Sequence, residues 1–188
     1  MLQLETDRLL LRAPVPEDAD ALAPMYADPE VMRYVGNGTA RTPDEVAGYH
    51  RRRLATAERA AGFGFWAGFT AEQFVGWWIL EPPDRPDQGP VTGQAALGYR
   101  LLRRYWRQGL ASEGARELLR HGFADLGLHR IFAETMAVNE ASPATMASIG
   151  LRYVRTFTAD WEEPIAGSEH GEVEYAITRD EWLARSPR

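Results

Sequence analysis

The spacing of apolar residues alternates between a period of two and a period of three to four, and each switch marks an element. Thr6–Arg12 (TDRLLLR) reads as a first strand with polar ends. Pro16-Glu17-Asp18 opens a helix reaching about Ala27, with acids in the first turn where the helix dipole favours them. Thr42-Pro43-Asp44-Glu45 predicts a second helix start, with Thr42 as cap, Pro43 at the first position and Glu45 closing a capping box. That helix is expected to reach about Ala60 and end near Gly62. Three strand-like runs follow at Gly64–Phe69, Phe74–Leu80 and Ala95–Leu102, and the Pro/Gly/Asp stretch Glu81–Gly93 is a loop.

The clearest helix comes next. Leu110, Gly114, Ala115, Leu118, Leu119, Phe123 and Leu126 fall on one face, and Gly127 stands where a C-terminal cap belongs. His129–Val138 reads as a strand, Pro143–Ile149 as a short helix ended by Gly150, and Leu151–Phe157 and Glu172–Thr178 as closing strands around an acidic loop. This order predicts an α/β fold in one domain over residues 1–188. Its central sheet would be mixed, with six or seven strands and helices on both faces.

Composition narrows the chemistry. The chain has 188 residues and no cysteine, so disulfides, Cys-ligated metals and a cysteine nucleophile are excluded, and no metal site is expected. All 21 basic residues are arginine, which stays protonated and makes a poor general base. The net charge of −6 argues against nucleic acid as a partner, since phosphate neutralisation needs a basic face. No apolar run is long enough for a membrane span, and the N-terminus lacks a basic-then-apolar leader, so a cytoplasmic location is expected. A homodimer stays open.

The stretch that carries chemistry is strand, tight turn, long helix: Ala95–Leu102, Arg103–Gln108, then Gly109 onward. Gly109 permits positive φ or a close backbone approach, and the first N–H groups of a helix have no partner within it and attract an anion. Arg103, Arg104 and Arg107 add positive charge with geometry suited to phosphate. Alone, this feature is equally a plain helix start, and the arginines equally a solvated surface.

Taken together in order, four segments resemble the GCN5-related N-acetyltransferase (GNAT) superfamily, and within it the ribosomal-protein N-terminal acetyltransferases. They are Thr6–Arg12 with Asp18-Ala19; Leu97–Leu101 with Tyr105–Glu113; His129-Arg130-Ile131 with Asn139–Ser142; and Gly150-Leu151-Arg152. The resemblance implies acetyl-CoA (coenzyme A) as cofactor and an amine-bearing acceptor, a peptide N-terminus or a small molecule. Backbone groups of Leu101, Leu102 and Arg103 would pair with the pantetheine arm like an added strand. Those of Arg107, Gln108, Gly109, Leu110, Ala111 and Ser112 would hold the pyrophosphate. Asn139 would reach the pantetheine from the next strand, and Ser142 would lie near the sulfur. Ser142 before Pro143 also reads as a helix N-cap.

Attack on a thioester needs a neutral amine, so a group must take a proton from an ammonium whose pKa is about 8 to 10. Two positions depart from the family. The tyrosine that many relatives carry seven residues after the asparagine is Met146 here, and the glutamate two residues before the Gly-Tyr of the fourth strand is Ala96. Ser142 matches a serine acid of some ribosomal-type members. Glu134 shares a strand face with Phe132 and Met136, as a candidate base or an edge charge. The segments Asp160–Glu163 and Glu169–Glu172 are acidic and either attract a cationic acceptor or are simply solvated. Trp77 and Trp78 point to opposite faces, so one of them is available to line a pocket. Met146 and Ala96 favour the alternative of a catalytically weak acyl-CoA-binding or regulatory protein.

Overall fold

A computed structural model describes residues 2–57, 62–159 and 164–185. The strands are β1 (Gln3–Glu5), β2 (Leu10–Arg12), β3 (Gly64–Thr70), β4 (Gln73–Glu81), β5 (Gln94–Leu101), β6 (Arg130–Met136), β7 (Arg152–Phe157) and β8 (Glu172–Thr178). The helices are α1 (Ala19–Ala27), α2 (Pro29–Met32), α3 (Pro43–Ala57), α4 (Leu110–Arg120), α5 (Ala141–Ser148) and α6 (Arg179–Arg185). The strands form one mixed sheet in the order β1-β2-β3-β4-β5-β6-β8-β7. The α/β expectation holds, with eight strands rather than six or seven.

The extra strand comes from the N-terminus. Thr6–Arg12 is not continuous; it is a turn followed by β2, and β1 folds back antiparallel with Leu4 opposite Leu11. Thr6 makes the turn, because its backbone N–H donates to Leu9 C=O at 2.9 Å and its Oγ1 accepts from Leu9 N–H at 2.9 Å. The predicted start of α3 is present as read: Thr42 N–H donates to Glu45 Oε2 at 2.8 Å and Glu45 N–H to Thr42 Oγ1 at 3.3 Å. Its predicted end near Ala60 lies outside the described residues, as do Asp160–Glu163. α2 and α6 were not read from periodicity because each is only one or two turns long; caps define them, Asp28 accepting from Glu30 N–H and Thr178 from Glu181 N–H.

By its internal contacts the chain divides into two compact units, residues 1–79 with 99–117 and residues 80–98 with 118–188. In the first unit Leu22, Met25, Tyr26, Val31, Met32, Val46, Phe74, Trp77 and Leu102 form a core. Trp78, fully buried, fixes the start of α4 by donating from Nε1 to Ala111 C=O at 3.1 Å. It lies against Gly68 and Gly114, where a Cβ would collide with the indole. Glycine at both positions is therefore a packing requirement, because large side chains in a dense core leave no room for an added methyl. In the second unit Phe123, Leu128, Ile131, Phe132, Met136, Met146 and Ile177 are buried, and β6 pairs antiparallel with β8 along its whole length.

Candidate active site

In the first unit the turn before α4 has the backbone of an anion cradle. Arg107 has φ 58° and Gly109 has φ 78°, two left-handed residues flanking Gln108. Alternation of hand along a turn points successive N–H groups into one concavity. The first bond inside α4 is Glu113 N–H to Gly109 C=O at 3.0 Å, so the N–H groups of Leu110 and Ala111 have no partner within the helix. A non-glycine residue held at φ 58° costs about 1–3 kcal/mol, a strain that persists only where neighbours impose it. Here Arg8 does so: its Nη1 donates to Gln108 C=O at 2.9 Å, and its Nε donates to Glu113 Oε2 at 2.7 Å. Thr6 Oγ1 donates to Glu113 Oε1 at 2.6 Å. Burial opposes the Glu113 charge, but the hydrogen bonds from Thr6 and Arg8 outweigh it and hold its pKa below the ordinary value. The bracing role of Thr6, Arg8 and Glu113 was not read from the sequence, although all three lie in the segments that carry the resemblance.

The strand leading into this turn ends in a way that suits an extended ligand. The parallel ladder between β5 and β6 covers only Gln94–Ala96 against Arg130–Phe132, while β5 continues to Leu101. Leu101 C=O accepts from Trp106 Nε1 at 2.9 Å, and Leu102 N–H donates to Val75 C=O at 2.9 Å. Those two groups are occupied within the first unit, which narrows the strand-like pairing expected for Leu101–Arg103. Gly76 is required beside it, because a Cβ would strike the Arg100 carbonyl. Arg103 pairs with Asp28 at 3.3 Å.

The second unit holds the remaining candidates. Asn139 donates from Nδ2 to Thr135 Oγ1 at 3.0 Å, and its C=O accepts from Ser142 N–H at 3.0 Å. Ser142 lies inside the first turn of α5, whose N-cap is Glu140, so the N-cap reading of Ser142 does not hold. Met146, at the position of the missing tyrosine, is a core residue at 2% exposure. Glu134 is not a free edge charge. It accepts from Arg85 Nη2 at 2.8 and 2.9 Å and from Gln88 Nε2 at 2.9 Å. Alternation and cross-strand register put Glu134, Met136, Glu172 and Glu174 on one face of β6 and β8. Burial raises the pKa of Glu172, the nearby charge of Glu134 raises it further, and Arg85 opposes. His121, buried, bonds Asp125 at 2.9 Å, in keeping with a structural role. Among the described residues no cluster of metal-ligating side chains is present, and no helix is long and apolar enough to cross a membrane.

A strand-turn-helix cradle suited to an anion is the chemistry this geometry offers, and comparison with known proteins gives the family. The sequence profile of the acetyltransferase (GNAT) domain matches residues 8–152. FsC-acetyl coenzyme A-N(2)-transacetylase of Aspergillus fumigatus is 41% identical over 182 residues, covering 96% of this chain and 77% of that protein. Among solved structures, a GNAT-family acetyltransferase from Bacillus anthracis superposes with TM-score 0.79 at 22% identity, covering 95% of this chain and 99% of that one. The ribosomal L7/L12 α-N-protein acetyltransferase, solved with coenzyme A, gives TM-score 0.77 at 16% identity, with coverage of 96% and 99%. The chain belongs to the GNAT acetyltransferase family. It is an acetyltransferase, and its acetyl donor is acetyl-CoA.

Proposed function

We propose that this chain transfers the acetyl group of acetyl-CoA to a primary amine of a small molecule, by direct attack with both substrates bound. The observation that carries this reading is the 41% identity, over nearly the whole chain, to a protein named for acetyl transfer to an N(2) nitrogen. The likeness to the ribosomal-protein enzyme is one of fold, at 16% identity. Residues 1–188 are proposed to work as one GNAT domain in the cytoplasm.

Acetyl-CoA supplies the acyl group as a thioester. The cradle from Arg107 to Ser112 binds the pyrophosphate through backbone N–H groups and the α4 dipole. The end of β5 and Leu102–Arg103 align the pantetheine, and Asn139 is the further residue that the resemblance assigns to it. Holding both reactants supplies much of the acceleration. Ser142 donates a proton to the leaving thiolate and regains one from the nitrogen as the adduct collapses to the amide. Glu172 takes the proton of the acceptor ammonium. Glu134, which sequence alone made the candidate base, acts through Glu172: its negative charge keeps Glu172 proton-hungry while Arg85 and Gln88 hold it still.

Thiol release from acetyl-CoA in the presence of a panel of small amines and peptides tests the reading. Release with small amines and none with peptides is expected; tight coenzyme A binding with no release from any amine would instead support a non-catalytic acyl-CoA binder. Glu172→Gln should lower kcat by about 10²–10⁴, the usual worth of general base catalysis. Glu134→Gln should move the acid limb of the pH–rate profile to lower pH, since removing a neighbouring negative charge lowers the pKa of Glu172.

A further inference from the structure

In the first unit Arg53 and Arg100 rest against Tyr26 and Trp77, with no carboxylate ion pair to either among the described residues. Arg53 of α3 has its guanidinium carbon 5.1 Å from the Trp77 ring centre, 5.4 Å from Tyr26 and 4.2 Å from Phe65. Arg100 of β5 lies 5.0 Å from Trp77 and 5.1 Å from Tyr26. Each cation–π contact is worth about 0.5–2 kcal/mol, but rings do not neutralise charge. Burial lowers the pKa of Arg100; the Tyr26 oxygen counters this and the positive charge of Arg53 adds to it. Arg100 Nη1 also donates to the Met32 thioether, a weak acceptor, at 3.9 Å, and the Tyr26 oxygen is its other polar neighbour.

The hydroxyl between the rings gives a second, independent sign. Tyr26, at 3% exposure, accepts from Arg53 Nη2 and from Trp77 Nε1 at 3.1 Å. Both lone pairs of a phenol oxygen are then used, and its own proton has no acceptor among the described residues. Asp18 lines the same narrow cleft as Arg53, Phe65 and Trp77. Its carboxylate is committed to Arg12 at 2.7 and 2.8 Å and to Val15 N–H at 2.8 Å, so it neutralises neither arginine. His50 lines that cleft as well; its Nε2 donates to Val15 C=O at 2.7 Å, so Nδ1 is an acceptor and adds no donor to the group. Partly buried guanidiniums that meet only rings, a thioether and one phenol oxygen, with no carboxylate among the described residues, are the complement of an anionic oxygen group.

The position suits an acceptor rather than the donor's phosphates. Arg100 directly precedes Leu101 and Leu102, assigned above to the thioester arm. We propose that Arg53, Arg100 and the Tyr26 hydroxyl bind an anionic oxygen group, carboxylate or phosphate, carried by the amine that is acetylated. The proposal rests on the small-molecule reading above and names the acceptor's chemical class: an amine with an acidic group a few bonds away.

Matched acceptors test it. Amino acids are compared with their decarboxylated amines, and phosphoethanolamine with ethanolamine, at constant ionic strength. The acidic member of at least one pair should show kcat/KM about 10–100-fold higher, the worth of a charge-assisted hydrogen bond; which pair responds identifies carboxylate or phosphate as the group. Arg100→Gln and Arg53→Gln should each reduce that ratio several-fold, with the dissociation constant for coenzyme A unchanged. Binding is also read directly, by the rise in wild-type melting temperature with acetate or inorganic phosphate against chloride, so the proposal is testable even if a variant fails to fold. Ratios within twofold for both pairs, together with no anion-specific stabilisation, overturn it while leaving acetyl transfer intact. Loss of coenzyme A binding in both variants would also overturn it, by showing a structural role. Absence of thiol release with every amine sinks the functional reading instead, and the anion titration still decides this one.

Discussion

Two sets of arginines, one in each unit, were folded under opposite rules. In the second unit Arg85, Arg130 and Arg155 are tied to carboxylates. Arg130 and Arg155 share Glu174, which is 3% exposed, Arg155 also reaches Asp87 at 2.8 Å, and Arg85 holds Glu134. Burial works against the Arg85 charge, yet hydrogen bonds to Asp87 and Glu134 outweigh it and raise its pKa. In the first unit Arg53 and Arg100 rest on aromatic faces with no carboxylate among the described residues. A charge that meets its opposite inside the chain serves the fold, and one that does not is available to a ligand. Residue type cannot distinguish the two sets, because every base in this chain is arginine.

The contrast can be broken most forcefully at Glu174. Glu174→Leu leaves Arg130 without its carboxylate and Arg155 with Asp87 alone, and should cost about 3–5 kcal/mol, as removal of one partner of a buried ion pair does. Urea unfolding measures it; a cost below 1 kcal/mol would show that solvent, not Glu174, neutralises Arg130 and Arg155. The matching change in the other set, Arg100→Met, should leave stability within about 1 kcal/mol of wild type or raise it, because a well-packed apolar residue often replaces a buried charge without loss. A loss as large as that of Glu174→Leu would erase the contrast.

Acid sharpens the comparison. The pKa of Asp87 is lowered by hydrogen bonds from Arg85 and Arg155, so its contribution is fully present above the ordinary value of 3.8 and is lost as pH falls through the lower folded value. Melting temperature followed downward from pH 5 should fall less steeply in Asp87→Asn than in wild type, while Arg53→Gln, whose side chain pairs with no described carboxylate, should track wild type. The smallest effect serves as a yardstick outside both sets. Ala71 and Glu72, in the turn between β3 and β4, have φ 44° and 66°. Glu72→Gly should therefore stabilise by about 0.5–1 kcal/mol, the relief of left-handed strain in a two-residue hairpin.

Legibility followed the range of the interaction. The Thr42–Glu45 box, the helix from Leu110 and the strands from Gly64 to Leu101 could be read because periodicity and caps are set by neighbours a few residues apart. The break at Thr6 was missed because a polar threonine ahead of an apolar run fits a strand end as well as a turn. Glu134 showed the limit at the site: its face on β6 was predicted correctly, but its engagement by Arg85 and Gln88 comes from a loop almost fifty residues earlier.

By itself the sequence determined the order of elements, the glycine turn ahead of α4, the absence of lysine and cysteine, and the residues Ala96 and Met146 at two positions where the resemblance leads one to expect a glutamate and a tyrosine. Tertiary structure decided which charges are spent. It gave Glu134 to Arg85, Glu174 to Arg130 and Arg155, and Glu113 to Arg8, and it left Arg53 and Arg100 without a carboxylate and the Tyr26 proton without an acceptor among the described residues. The physical reason is that periodicity is a property of consecutive residues, whereas the cost of a buried charge depends on the partners that distant segments bring within a few ångströms.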